Sequence, residues 1–244
     1  MSETIICAHR GLDDVAPENT LAAFTPALER EMAIEFDVRM TADRQLVVLH
    51  DPTVDRTTDG SGSISELSLA DVKALDAGSW FGPHFADQRL PTLDEVLELV
   101  GSHQHVSPSI ALDVKGLTPG IIEMICDCLE EHKMIEEVVG IGSIIRSADV
   151  RREFCEASST FQCAAVAEAP EDLDAALDDG YSTWVYARFV TTREDVHQVN
   201  RAGKRLIVCG TEVSLDVDSA HDAYKAGPDV ILSSHPSKLA ELTS

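Results

Sequence analysis

The chain has 244 residues, 44% hydrophobic and 25% charged, the mix of an ordinary soluble globule long enough to bury a large core. Its 43 Asp and Glu against 19 Lys and Arg leave a formal net charge of −24. A field of that sign excludes nucleic acid as partner and docking on anionic lipid through a basic patch. An anionic substrate stays open to such a protein if it brings a metal, because a bound cation inverts the local field.

No basic stretch followed by a long apolar run opens the chain, and no segment reaches the roughly 18 apolar residues of a membrane span. Stable membrane anchoring is therefore not expected. The six cysteines form no C-x-x-C pair, and Cys7, Cys163 and Cys209 sit in apolar runs. They read as small buried hydrophobes in a reducing, cytoplasmic setting.

Short β-rich runs alternate with helical patterns along the chain. Strands are expected at Thr4–Ala8, Ala33–Val38, Ile110–Val114, Val138–Gly142, Phe161–Val166, Thr183–Ala187, Leu206–Cys209 and Asp229–Leu232. Amphipathic helices are expected at Thr20–Arg30, Pro119–Glu131, Ala148–Glu156, Pro170–Asp179, Thr192–Ala202 and Asp218–Ala226, several opened by a capping Thr or Asp. Eight βα-type units in this length point to a (β/α)8 TIM barrel, with a doubly wound sheet as the alternative. After strand 2 the rhythm breaks. Leu46–Leu49 reads as the second arm of a hairpin, and a small inserted subdomain follows at about 51–90, with a short helix at Ser68–Leu75, before a helix at Thr92–Leu99. The chain is thus read as one domain, 1–244, whose insertion lies on the C-terminal face of the barrel, where active sites sit.

Residues i and i+2 of a strand share a face. Glu35 and Asp37 are such a pair at the end of Ala33–Val38, and Asp113 offers a third carboxylate from the strand Ile110–Val114. Three acids on neighbouring strand ends can close around one hard divalent cation, Mg2+ or Ca2+, with positions left for water and a phosphate oxygen. The bland reading of these acids is a set of salt-bridged or solvated strand ends. Lys115 shares Asp113's face; it could neutralise phosphate or pair with one of the acids. His9 ends strand 1 and His50 ends the hairpin, both where apolar runs meet loops. Beside three carboxylates they are candidates for general acid and base work at near-neutral pH. Arg10, next to His9, offers a forked phosphate anchor. The other histidines read as bland, except His84, whose loop could reach the site.

The segments His9-Arg10-Gly11, Pro17-Glu18-Asn19-Thr20, Glu35-Phe36-Asp37-Val38, His50-Asp51, Thr57-Thr58-Asp59-Gly60-Ser61-Gly62, Asp76-Ala77-Gly78-Ser79-Trp80-Phe81 and Leu90-Pro91-Thr92-Leu93 resemble, in order, the glycerophosphodiester phosphodiesterases. The dense resemblance covers residues 5 to about 100 and continues more loosely to Pro236. It implies a barrel of the phosphatidylinositol phospholipase C-like type. It implies a divalent metal held by Glu35, Asp37 and the acid at 113, and His9 and His50 as the acid/base pair. It implies cleavage of a small glycerophosphodiester to glycerol 3-phosphate and an alcohol through a cyclic phosphate. Two alternatives stay open: a phospholipase D-like enzyme acting on lysophospholipids, and a non-catalytic protein that binds phosphate esters.

This sequence departs from the family pattern at four places. Asp113 stands where Glu is usual, so the metal shifts, a water fills the gap, or a different ion is preferred. Ser143-Ile144 replaces Ser-Phe. Val208-Cys209-Gly210-Thr211 lacks the common Trp-Thr, and Ser233-Ser234-His235-Pro236 replaces Thr-Asp-x-Pro. The early half keeps the reaction core, whereas the later half has lost bulky groups that would shape a substrate pocket.

Overall fold

The computed structural model describes residues 4–103, 110–209 and 216–243. Eight parallel strands close into a ring in the order β1 (Ile5–Ala8), β2 (Ala33–Met40), β4 (Ile110–Val114), β5 (Val138–Ile141), β6 (Gln162–Ala167), β7 (Trp184–Ala187), β8 (Arg205–Val208) and β9 (Val230–Ser233), with β9 pairing back onto β1. The expected TIM barrel is therefore the fold, and the doubly wound alternative falls because the sheet has closed. β3 (Leu46–Val48) lies outside the ring, antiparallel to Val38–Met40 of β2.

The helices are α1 (Leu21–Leu28), α2 (Leu69–Ala74), α3 (Leu93–Gly101), α4 (Ile121–Glu131), α5 (Ala148–Ala157), α6 (Leu173–Asp178), α7 (Arg193–Arg201), α8 (Val217–Ala226) and α9 (Pro236–Thr243), and α1, α2, α3, α7 and α8 open on a side-chain cap from Thr20, Ser68, Thr92, Thr192 and Asp216. Ser68 with Asp71, Thr92 with Glu95 and Thr192 with Asp195 form reciprocal capping boxes at α2, α3 and α7, each satisfying two otherwise orphaned N–H groups. The expected strands and helices recur with ends shifted by a few residues. α9 alone had no counterpart in the sequence reading, because it starts at a proline straight after a strand and buries only Pro236 and Leu239.

Strand alternation divides the core. Ile34, Phe36 and Val38 point outward and pack under α1 and α3 with Phe24, Leu93 and Leu97, all fully buried. Each such side chain contributes roughly 1.5–3 kcal/mol by leaving water. The other face of the same strands fills the barrel interior with Cys7, Ala33, Ala111, Val139, Trp184, Ile207 and Val230. One step further along β1, β2 and β4, at the C-terminal mouth, this inward layer turns polar with His9, Glu35 and Asp113. The segment after β3 has its own apolar cluster, in which Val54, Ile64, Val72, Ala77 and Leu90 pack on Val47 and Leu49. No helix among the described residues is long and apolar enough to cross a membrane.

Candidate active site

Register assembles the acidic cluster. Cys7 pairs with Ala33 and Glu35 with Ala111, so the next inward residues of β1, β2 and β4 are His9, Glu35, Asp37 and Asp113; Asp37 and Asp113 are direct partners across the ladder. All three carboxylates are buried, and each can offer an oxygen within 4.8 Å of the others. The expected trio therefore converges. Packing like charges this closely in low dielectric is costly, and the burial and neighbouring charges of each acid decide how the cost is spread. Burial, with the charges of Asp37 and Asp113, raises Glu35 well above the usual carboxylate range. Burial also raises Asp113 to about 6, although Lys115 opposes it. Asp37 goes the other way: burial resists ionisation, but Lys115 and Arg10 outweigh it and hold its carboxyl below its ordinary value.

Lys115 sits where its bland reading put it. Its Nζ is 2.5 Å from Asp113 Oδ2 and 3.1 Å from Asp37 Oδ1. Even so, Asp37 Oδ1 and Asp113 Oδ1 are buried acceptors without a hydrogen-bonding donor. Buried carboxylate oxygens without a hydrogen bond, in a cluster of three acids within 4.8 Å, are the electrostatic complement of a cation, so the residues present fit a hard divalent ion. Gly142 makes room for the cluster. Its φ of +95° favours glycine, and a Cβ there would come within 2.1 Å of Asp113 Oδ1.

The two histidines face the same cleft, of about 180 Å³, which Glu35, Asp113, Lys115, Ser143, Tyr186 and Arg188 also line. His9 is buried; its Nδ1 lies 3.0 Å from Ser234 Oγ and its Nε2 3.9 Å from Glu35 Oε2. Burial, aided by the charge of Arg10, lowers it to about 4, so its imidazole is neutral at physiological pH. His50 is more open, and its Nδ1 lies 2.7 Å from Asp51 Oδ1. The remaining ring nitrogen of His50 is thus left free of Asp51.

Arg10 is drawn into the site, but by acids rather than by the cleft. Its guanidinium meets Glu18 Oε1 at 2.9 Å and Asp37 Oδ2 at 3.3 Å, and its backbone N–H donates to Glu35 Oε2. It takes up a left-handed φ of 55° to do so. His84 is exposed and does not line the cleft. Gly210 and Thr211 lie outside the described residues.

Four supporting residues escaped the sequence reading. Asn19 donates to Asp37 Oδ2 at 2.8 Å. Glu18 bridges Arg10 and Arg56, and Arg56 also grips Asp51 at 2.6 Å, so one chain of ion pairs joins the supports of both histidine-bearing loops. Arg39, two residues past Asp37 on the same face, donates to the backbone carbonyls of His50 and Lys115 and clamps the β3 and β4 ends together. Arg39 had a signal, the period of two continuing past the acids. Glu18 and Asn19 stood in a quoted motif without an assigned role. Ser234, noted only as a departure, turns out to hold His9.

Residues 9–203 match the model of the "Glycerophosphoryl diester phosphodiesterase family". A glycerophosphodiester phosphodiesterase of Caldanaerobacter subterraneus subsp. tengcongensis is 43% identical over 141 residues, 56% of this chain and 57% of that protein. One from Bacillus subtilis is 36% identical over 147 residues, 57% of this chain and 50% of that protein. The matched stretch thus spans about half the length of these relatives. Among solved structures, an Oleispira antarctica phosphodiesterase in complex with its product sn-glycerol-3-phosphate superposes with a TM-score of 0.82 at 24% identity, over 99% of this chain and 98% of that one. A glycerophosphodiester phosphodiesterase from Agrobacterium tumefaciens gives 0.81 at 24%, over 98% and 99%. At that identity the superpositions speak for the fold.

Proposed function

The chain belongs to the glycerophosphoryl diester phosphodiesterase family, and we propose that it hydrolyses small glycerophosphodiesters to glycerol 3-phosphate and an alcohol. The observation that carries this reading is a cluster of three buried carboxylates, two of which, Glu35 and Asp113, line one cleft at the barrel mouth with His9 and His50. Glu35, Asp37 and Asp113 would hold one divalent cation, Mg2+ or Ca2+. When bound, such an ion supplies Lewis-acid polarisation of phosphate and neutralises the charge that builds up on it.

The chain's own residues would then move protons. One histidine takes the proton of the glycerol 2-hydroxyl as that oxygen bonds to phosphorus. The other delivers a proton to the departing alcohol oxygen as its bond to phosphorus breaks. In the second step the roles reverse, and water opens the cyclic phosphate. His9, buried and neutral, suits the first proton abstraction; Asp51 fixes the ring of His50 for the other role. Lys115 would leave its acids for the phosphate once a cation takes its place, and Arg10 would support it from behind Asp37.

The cleft is smaller than the roughly 300–1,000 Å³ of drug-sized ligand sites. It suits the glycerophosphate half of a substrate, with the alcohol projecting outward and weakly selected. That favours small soluble diesters over lysophospholipids. Glycerophosphocholine supplied with Mg2+ or Ca2+ should yield glycerol 3-phosphate in a dehydrogenase-coupled assay, and chelation by EDTA should stop it. No product with either ion, on glycerophosphocholine or on a lysophospholipid, would leave only the phosphate-ester binding alternative. Undiminished turnover after thorough chelation would remove the metal from the mechanism.

A further inference from the structure

A second cluster of metal-ligating groups lies on the outer wall of the barrel, between α3 and α4. Cys128 and His132 are one helical turn apart at the end of α4, so their side chains share a face. Asp94, in the first turn of α3, reaches the same point. The Cys128 thiol donates to Asp94 Oδ1 at 3.6 Å, and His132 Nε2 lies 3.1 Å from that same oxygen. One thiol, one imidazole and one carboxylate thus bring their donor atoms within 4.8 Å of one another.

We propose that Asp94, Cys128 and His132 form a Zn2+ site, distinct from the catalytic cluster, with a fourth position open to water. The distances support it. Tetrahedral zinc with bonds of about 2.0–2.3 Å holds its ligand atoms roughly 3.3–3.8 Å apart. The observed S···O and N···O separations of 3.6 and 3.1 Å need only small rotations to meet that spacing. Chemistry separates the two sites as well. Glu35, Asp37 and Asp113 are all-oxygen donors that suit hard Mg2+ or Ca2+, whereas a thiolate, imidazole and carboxylate set selects a borderline-soft ion.

Two hydrogen-bond donors converge on one carboxylate oxygen, an arrangement a single dication can replace. On binding, the Cys128 S–H bond breaks, its proton leaves to solvent and a Zn–S bond forms. His132 binds through the Nε2 lone pair with its proton on Nδ1. The half-buried thiol and the partly exposed imidazole leave the site reachable from solvent. A bound ion would staple α3, the helix that follows the β3 segment, to the barrel wall.

The test uses the full chain with Mg2+ in excess to occupy the all-oxygen cluster. Titration with Co2+ should show one equivalent bound, with tetrahedral d–d bands and a near-ultraviolet thiolate-to-cobalt charge-transfer band that the sulfur-free catalytic cluster cannot produce. Zn2+ should then displace it. Cys128→Ser should abolish the charge-transfer band and weaken Zn2+ about 100-fold, and His132→Ala should weaken it at least about tenfold. His132→Ala keeps Cys128, so it tests the site independently of how well Cys128→Ser folds. Absence of the band in the unaltered chain would overturn the proposal, and so would a band that persists in Cys128→Ser. Glycerophosphodiester hydrolysis with Mg2+ should be unchanged in both variants, so failure of the zinc site and failure of the proposed activity are read separately.

Discussion

Arg56 Nη1 lies 2.7 Å from Glu18 Oε2, although 38 residues separate the two in sequence. Through this contact the loop after β3 and the loop after β1 share one ion-pair chain, with Asp51 at one end and Arg10 at the other. Arg56 touches neither the cleft nor the three acids, so it is a positioning residue. Arg56→Ala should lower kcat about 10- to 100-fold by releasing Asp51 and hence His50, with little change in KM; Arg56→Lys should recover part of the loss. An unchanged kcat in Arg56→Ala would show that Asp51 holds its place without it.

His9→Ala and His50→Ala should each reduce turnover by about 10²–10⁴-fold while circular dichroism stays that of the parent. His50 sits in the more open environment, so its variant should be the less perturbed in stability. If either variant keeps near-full metal-dependent activity, that histidine is not an acid/base group.

Gly142 borders the acid cluster so closely that one methyl group is the whole test. In Gly142→Ala the new Cβ would collide with Asp113, and the left-handed backbone adds strain. Metal affinity, read by isothermal calorimetry, and turnover should fall together, by about tenfold or more. Normal metal binding in this variant would mean that Asp113 has room to move.

Asp13 supplies a pH-dependent prediction at a residue outside the proposed metal and acid/base set. Burial, then the charges of Asp14 and Glu18, raises its carboxyl from an ordinary 3.8 to about 6. Between those values the folded chain binds the proton more tightly than the unfolded chain does. Its contribution to stability is therefore present below pH 3.8 and is lost as pH rises through 6. Asp13→Asn should stabilise the protein at pH 7–8 by about 1 kcal/mol, after discounting for solvent screening of a half-exposed group, and should have no effect below about pH 4. Urea unfolding at both pH values checks it; an equal gain at both would point to a cause other than charge.

The barrel was legible because its outward residues, such as Ile34, Phe36 and Val38, must be apolar to meet the helices, while the inward ones become polar only at the mouth. That alternation exposed Glu35, Asp37 and Asp113 as residues on one side of the sheet. What remained hidden was held by contacts with no local period. Ser234 meets His9 only because β9 closes onto β1, and Glu18 meets Arg56 only because the segment after β3 comes back to the loop after β1. The division of the three acids into one that ionises readily and two that resist was hidden for the same reason, since it depends on Lys115 and Arg10 reaching Asp37.

β3 stands outside the ring and delivers His50 from a small apolar cluster, separate from the barrel's own, that includes Val47, Leu49, Val54, Ile64 and Val72. His9, by contrast, is carried on a strand closed into the ring on both sides. The two histidines proposed to move protons therefore rest on ground of unequal firmness. A modest denaturant or temperature that loosens the small cluster would separate the pair while the eight-stranded ring persists. The proposed turnover should then fade at a lower denaturant concentration than the far-ultraviolet signal of the ring.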